Sequence, residues 1–580
     1  MRDSEVYRRV AADKNPASTV IFWMAAFFTV FWVLGCRSLG GSEDRWAEIS
    51  RGMLITGDFF HPFINHENYF DKPLLSYWLI SALSYACGFI NEWTVRLPSA
   101  VSALVSLWAL RRLGAKLWDK STANIASWIM LSSLGFIFWA RKADAVMENM
   151  AAIILAVTWF FERKDKPGFI SYMVFYAICF IGAQAKGLAA VVIPVAVIIP
   201  LLLRDKTWKK HFRISNFAAL AIGALLYLIP FVYAGMTRPD ASPGTLSSEI
   251  SGLLNGDRSS GLYMVFRENI ERFFTPFDHK ERFYVYFIHL PRIMAPWTLL
   301  FVAALATFFI DWKRLDPKKR WLLDAVIIIF LIFTASGSRR WYYILPILPF
   351  CSLMTAVFIA EGHHDKLRKT ALLITGITIL AVAAAMLISP VLWLLAAKMK
   401  GFTPPYVLYF SIPIAGIIAS IPWFIRKSMP GLLSELTGLP RLFTPYALSI
   451  FAIMAFSFVI LLNDFDALRT EKSFALELKE LSLDVEPSRV CFFIKVSPAV
   501  LFYMDRLSDV SVAPNSGAVE KFITATDGFF LTQRKFLEDL PENIAAEMKK
   551  NPDIAEKTYP WESKKEISGK FLGIRTTRLR

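Results

Sequence analysis

Charge is scarce in this chain, at 19% of its 580 residues, and histidine and cysteine are scarcer still, at seven and five. The cysteines (Cys36, Cys87, Cys179, Cys351, Cys491) form no CxxC pair and no metal-ligand spacing. Four lie in or beside apolar runs, where a packed thiol is the simple reading. No P-loop, HExxH, GxSxG or His/Cys cluster occurs, so nucleotide hydrolysis, zinc proteolysis and serine hydrolysis lack support. Internal repeats and low-complexity tracts are also missing. Transporters tend to carry a half-to-half repeat and mid-membrane polar groups, so a transporter or flippase is the weaker class.

What the chain does have is apolar surface: 55% hydrophobic and 15% aromatic residues, with a mean hydropathy of +0.43. Apolar runs recur that reach the roughly 20 residues needed to cross hydrocarbon. The chain is therefore read as a polytopic membrane protein. Candidate spans are 19–36, 97–113, 122–139, 145–162, 169–185, 187–203, 215–235, 292–310, 321–336, 341–360, 371–396, 405–425 and 442–462. The first follows a polar, basic N-terminus without a small-residue cleavage site, and is expected to be an uncleaved span. The net charge of +16 is assigned to cytoplasmic loops and not to nucleic-acid binding.

One further apolar segment, Leu74–Ile90, is decided by charge. If it stays on one side, 27 Lys and Arg fall in cytoplasmic segments against 7 in the short opposite loops; if it crosses, 23 of the 27 face outward. The positive-inside rule favours about 13 spans, with Leu74–Ile90 interfacial or re-entrant. The N-terminus is then cytoplasmic. The segment 37–96, Arg141–Glu148, the GAQAKG turn, the 237–290 loop and SGSRRWYY all meet on the external side. From about residue 464 the composition turns polar, with short strand and helix patterns, which predicts a small external α/β domain over 464–580 after a membrane domain over 1–463.

The segment Gly41–Trp78 gathers Glu43, Asp44, Arg45, Glu48, Arg51, Asp71 and Lys72 directly after the first span. In EDRWAEISRGML the acids suit a capped interfacial helix, and equally a general base beside a basic group. YFDKP adds Asp71 and Lys72, which suit interfacial anchoring or ligand contact. Lys186 stands between two long apolar runs, where a lone lysine is costly and needs a partner or a task. With Arg45, Lys72, Arg272 and Arg339/Arg340 on the same face, it makes a receptor for a lipid-linked phosphate. A carboxylate would deprotonate an acceptor hydroxyl while cations hold the phosphate leaving group.

The order GSEDRWAEISRGMLITGD…YFDKPLLSYW, NEWTVRLPSA, AKG, SRRWYYILPILP resembles the bacterial GT-C glycosyltransferases, specifically the aminoarabinose lipid A transferases and their protein O-mannosyltransferase relatives. The resemblance covers nearly the whole membrane part. It implies a GT-C-type, all-α polytopic fold with an external α/β cap. It also implies transfer of a sugar from a polyprenyl (undecaprenyl) phosphate carrier to lipid A or a related envelope acceptor, at the outer face of a bacterial inner membrane. A protein acceptor is the alternative. Where the family has its catalytic Asp, this chain has Ser42, so the base falls to Glu43, taken first, or Asp44. The resemblance makes Lys72, with Asp71 beside it, a phosphate contact. It matches the AKG lysine to Lys186, the external-loop arginine to Arg272, the tyrosine before the LP turn to Tyr343, and the conserved-type Arg and Glu to Arg45 and Glu48. The second external acid falls at Asp144 or Glu148. No cofactor is required; a divalent metal is compatible with the carboxylates. The expected partners are the carrier, the envelope acceptor and membrane lipids.

Overall fold

The computed structural model describes residues 16–579 except 66, 70–71, 239–243, 362–363, 401–405, 430, 462–465, 467–470, 507–508 and 560–561. From the N-terminus the helices are α1 (Pro16–Phe31), α2 (Glu43–Thr56), α3 (Leu75–Cys87), α4 (Glu92–Leu117), α5 (Lys120–Leu131) and α6 (Leu134–Ala140). Next come α7 (Val146–Arg163), α8 (Phe169–Lys186), α9 (Ala189–Arg204), α10 (Ile214–Met236), α11 (Val285–Met294) and α12 (Thr298–Ile310). The membrane part closes with α13 (Pro317–Ala335), α14 (Leu348–Ala360), α15 (Asp365–Lys400), α16 (Tyr406–Ser428) and α17 (Thr444–Phe456).

Among the described residues, five helices are long and apolar enough to cross a membrane, or seven if each of two bent pairs counts as one span. This makes the chain a multi-pass membrane protein. The helix positions follow the apolar runs closely, with two differences. The runs 122–139 and 292–310 were expected as single spans, but the chain bends by 66° between α5 and α6 and by 116° between α11 and α12. Pro296 lies at the second break, and a proline removes an amide donor from a helical ladder. The two breaks serve each other: the Leu134 amide donates to the Ala295 carbonyl at 2.8 Å, and Trp297 Nε1 donates to Ser132 Oγ at 2.9 Å. Gly135 permits this approach, since a Cβ there would lie 2.5 Å from Ile293 Cγ2.

Leu74–Ile90 forms the 13-residue helix α3. At 1.5 Å per residue that is about 20 Å, short of the ~30 Å hydrocarbon core. Instead α3 lies against α2: the rings of Trp46 and Tyr77 are 4.4 Å apart, and Ser81 Oγ donates to the Ser50 carbonyl at 3.4 Å.

After α17 comes a five-stranded sheet built from β3 (Val490–Phe493), β4 (Ser511–Ala513), β5 (Phe529–Gln533), β6 (Ile554–Ala555) and β7 (Phe571–Arg575), in the order β4-β3-β5-β7-β6. A hairpin of β1 (Phe63–Ile64) and β2 (Glu67–Asn68) belongs to the loop before α3. β3 runs parallel to β4 and β5, while β7 is antiparallel to β5 and β6. Parallel neighbours need a crossover, supplied by helices α19 (Pro498–Met504) and α20 (Ser516–Ala525). One face of the sheet and α18 (Glu471–Leu481) share a single apolar core with α2 and α3, through Phe474, Leu478, Phe502 and Phe529 against Trp46, Met53 and Tyr77.

Polar bonds pin the same junction. Tyr503 Oη accepts from the Leu39 amide at 2.7 Å and donates to Glu92 at 3.1 Å. Asn65 exchanges two hydrogen bonds with the Val510 backbone, at 3.0 and 2.8 Å. Asn65→Ala strands both backbone groups at a buried place, a loss of about 1–3 kcal/mol. We expect faster amide exchange in β4 of that variant; wild-type protection there would refute the junction's dependence on Asn65.

Candidate functional site

Glu43 and Asp44 open α2, where acids are favoured by the unpaired amides of the first turn. They face different surroundings. Glu43 is turned into the protein and 1% exposed. It accepts from Arg96 Nε at 2.8 Å and Nη2 at 3.1 Å, from the Ala143 amide at 2.9 Å and from the Gly40 amide at 3.2 Å. The remaining Arg96 donors reach the carbonyls of Leu34 (2.8 Å), Arg37 (2.7 Å) and Ser38 (2.9 Å). Every N–H of this guanidinium is thus used to fix the turn between α1 and α2. Burial pushes the Glu43 carboxyl up, but the Arg96 charge and hydrogen bonds, with Arg37 and the Ala143 amide, outweigh it and hold the group at about 2. The preference for Glu43 as base is corrected on this ground: its lone pairs are spent and its proton affinity is low.

Asp44 is half-buried. Its Oδ1 accepts from the Arg45 amide at 2.9 Å. Burial raises the carboxyl to about 6 against the pull of that amide and of the Arg45 charge. It is the acid of the pair that exchanges a proton near neutral pH. Arg45 donates to Tyr69 Oη and lies 5.6 Å over the same ring. Asp71 lies outside the described residues.

Glu48 does not join these groups. Its two oxygens accept from Arg51 Nε and Nη2, both at 2.8 Å, and Arg51 Nη1 reaches the Arg506 carbonyl at 2.8 Å. The expectation of a substrate contact at Glu48 is corrected: the pair braces α2 against the C-terminal sheet domain. Arg339 and Arg340 are likewise engaged elsewhere. The first donates to the Thr334 and Glu281 carbonyls, the second to His279 and to Tyr342 Oη at 3.3 Å.

Lys72, Lys186, Arg272 and Tyr343 come together at a cavity of about 380 Å³. Each cation is steadied by a carboxylate. Lys186 Nζ lies 2.5 Å from Asp144 Oδ1, and 4.6 and 5.7 Å over the rings of Tyr342 and Tyr343. Arg272 binds Asp278 at 2.6 Å and Glu268 at 2.5 Å, and Lys72 stands 3.8 Å from the same Glu268. The lysine turn is shaped by Gly187, at φ +92°, where a Cβ would sit 2.6 Å from Asn269 Oδ1. That oxygen accepts from the Leu188 amide at 2.8 Å. Beyond the cations the wall is apolar, with Val192, Ile332, Phe333 and Phe274. Asp144 is the acid that meets Lys186, whereas Glu148 lies enclosed one turn deeper, with Oε2 unpartnered. The cavity thus presents three cationic side chains beside an apolar wall.

Sequence reasoning missed Arg96, Glu268, Asn269 and Asp278. Arg96 carried a signal, as an arginine at the mouth of an apolar run; the loop residues carried none. Asp144, Glu268 and Asp278 are each paired with a cation, and among the described residues no group of three or more His, Cys, Asp or Glu is placed to hold a metal ion.

Fold and cavity together define a multi-pass helical membrane architecture with a cation-lined, apolar-walled cavity. The chain aligns with ArnT from Cupriavidus metallidurans bound to undecaprenyl phosphate at a TM-score of 0.69 and 14% identity, covering 96% of this chain and 98% of the other. With the apo state of the same protein the TM-score is 0.63 and the identity 15%, over 97% and 98% of the two chains. In sequence, residues 71–233 match the family described as dolichyl-phosphate-mannose-protein mannosyltransferase. The chain is 29% identical over 389 residues to the undecaprenyl phosphate-alpha-4-amino-4-deoxy-L-arabinose arabinosyl transferase of Aeromonas salmonicida, covering 63% of this chain and 65% of the relative. The protein of that name in Photorhabdus laumondii is 26% identical over 379 residues, covering 62% and 64%. The match therefore spans just under two thirds of these relatives. The resemblance read from the motifs holds in sequence and in fold.

The Arg96–Glu43 pair sets a testable stability. Breaking a buried pair costs about 3–5 kcal/mol, so Glu43→Gln should lower the thermal midpoint of the detergent-solubilised protein markedly. Because the folded carboxyl sits at about 2, below its ordinary 4.5, its contribution is present above pH 4.5 and is lost as pH falls toward 2. An unchanged midpoint in Glu43→Gln would remove the clamp from the account.

Proposed function

We propose that the chain is an integral-membrane glycosyltransferase that moves a sugar from an undecaprenyl phosphate carrier to lipid A or a related envelope acceptor. It acts from a bacterial inner membrane, with about 13 spans, a cytoplasmic N-terminus, and the site and C-terminal domain facing the periplasm. The observation that carries the reading is the cavity in which Lys72, Lys186 and Arg272 meet beside Tyr343 and an apolar wall. The relatives' names, which specify an undecaprenyl phosphate-linked aminosugar, support the donor class.

In the reaction the acceptor oxygen forms a bond to the anomeric carbon as that carbon's bond to the carrier phosphate oxygen breaks. The electron pair leaves with the phosphate, whose growing charge is met by Lys72, Lys186 and Arg272. The acceptor proton passes to Asp44, which is charged above about pH 6. Asp144 keeps Lys186 aimed without neutralising it, because an ion pair leaves an ammonium two further donors. The carrier's chain stays against Val192, Ile332 and Phe333. No cofactor is required. The family match over 71–233 favours a protein acceptor as the second reading.

The test is transfer in vitro from an undecaprenyl-phosphate sugar to lipid A or to a secreted protein. Asp44→Asn should lower kcat by roughly 100- to 10,000-fold, the usual yield of a positioned base. Lys186→Ala, losing charged contacts of about 1.5–3 kcal/mol, should lower kcat/KM by roughly 10- to 150-fold. Wild-type activity should fall as pH drops through about 6, where Asp44 takes a proton. Full activity in both variants sinks the site; transfer to protein alone selects the second acceptor.

A further inference from the structure

A second cavity, of about 160 Å³, lies at the other end of α8. It is bordered by Tyr172, near the start of the helix whose last residue is Lys186, so the two cavities are about 20 Å apart along the helix axis. Nothing in the proposed transfer uses it.

The groove has two halves of opposite character. Its wall is apolar and opens to the lipid side: Phe175, Val195, Ile198, Ile199 and Leu202 form it, and Ile199 is itself exposed. Its rim is basic, with Arg163 and Lys164 from the end of α7 and His211 from the loop after α9. The Arg163 guanidinium carbon lies 5.0 Å from the centre of the Trp159 ring. His211 Nδ1 meets Tyr172 Oη at 3.2 Å.

The rim has an excess of positive charge. Lys210 and Arg213 flank His211 in sequence, and among the described residues neither these two nor Arg163 and Lys164 pair with a carboxylate. Of the nearby acids, Glu162 is committed to Arg112 at 2.7 Å, and Asp165 is the acid that His211 senses. Burial, then Arg213, Lys210 and Lys164, hold His211 below its ordinary value against the opposing pull of Asp165. Around the rim Phe169, Ile170, Trp208, Phe212 and Ile214 are exposed, a belt suited to the headgroup region.

We propose that this groove binds an anionic phospholipid, with the phosphate at Arg163 and Lys164 and one acyl chain along Ile198, Ile199 and Leu202. Charge complementarity selects the headgroup, and the lipid-facing opening supplies the chain without extracting it from the bilayer.

The test uses the full-length protein, delipidated and returned to nanodiscs of phosphatidylglycerol or phosphatidylcholine, with retained lipid read by native mass spectrometry after detergent release. Phosphatidylglycerol should be retained and phosphatidylcholine not. Each basic residue near an anionic surface contributes about a fivefold gain, so Arg163→Gln with Lys164→Gln should cut retention roughly 25-fold. Ile199→Trp, which fills the groove and leaves the charge alone, should also cut it, and decides the matter if the double variant misfolds. Lys549→Gln, at an exposed residue of the C-terminal segment, should leave retention as it was. Equal retention of phosphatidylcholine, displacement by millimolar inorganic phosphate, unchanged retention in the groove variants, or loss in Lys549→Gln would each overturn the proposal.

Discussion

The contact on which the rest of the structure depends is the enclosed pair of Arg96 and Glu43. A charge pair shut away from water is favourable only when every donor and acceptor is met. Here the guanidinium meets three carbonyls of the α1–α2 turn as well as the carboxylate. That arrangement sets where α2 begins, and therefore the direction in which Asp44 and Arg45 leave the helix. One acid of an adjacent pair is spent on architecture so that the other stands at a fixed place with a different proton affinity. Environment, and not residue type, separates the two roles.

The same economy governs the cavity. Three cations that met without anions would repel one another and pull the loop 261–280 away from α8. Asp144, Glu268 and Asp278 hold them in position, and each carboxylate occupies only part of its partner's donor capacity. An arriving phosphate then meets donors already aimed, and little ordering is left to be done on binding. Gly187 and Asn269 extend this order to the backbone of the lysine turn.

Much of the layout was legible in the sequence, because the bilayer imposes length and charge rules that a single sequence displays. The apolar runs located the helices, and the Lys/Arg asymmetry favoured a non-crossing Leu74–Ile90, which folds as the 13-residue α3. Lys186 stood out because a lysine between two apolar runs has few innocent explanations. Other features were hidden for physical reasons. Glu43 and Arg96 each resemble an ordinary helix-start residue, and only their meeting across 53 positions gives them a shared role. Glu48 stands one helical turn from both Arg45 and Arg51, and only the structure shows that it pairs with Arg51, which also reaches the C-terminal segment at Arg506. The breaks after Leu131 and Met294 left no mark in hydropathy, since the residues on either side stay apolar.

Those two breaks constrain the order in which the molecule can be completed. The Leu134 amide finds its acceptor in Ala295, and the Ser132 hydroxyl receives Trp297, so the two pairs join positions 161 and 165 residues apart along the chain. At a synthesis rate of roughly 5–20 residues per second, the earlier break waits on the order of ten seconds or more for its counterpart. During that interval a backbone donor at membrane depth has no protein partner, a state that hydrocarbon tolerates poorly. The nascent α5–α6 segment must therefore shelter at the insertion machinery or near the water boundary until α11 and α12 arrive. The joint can form only once the chain has been made past Trp297.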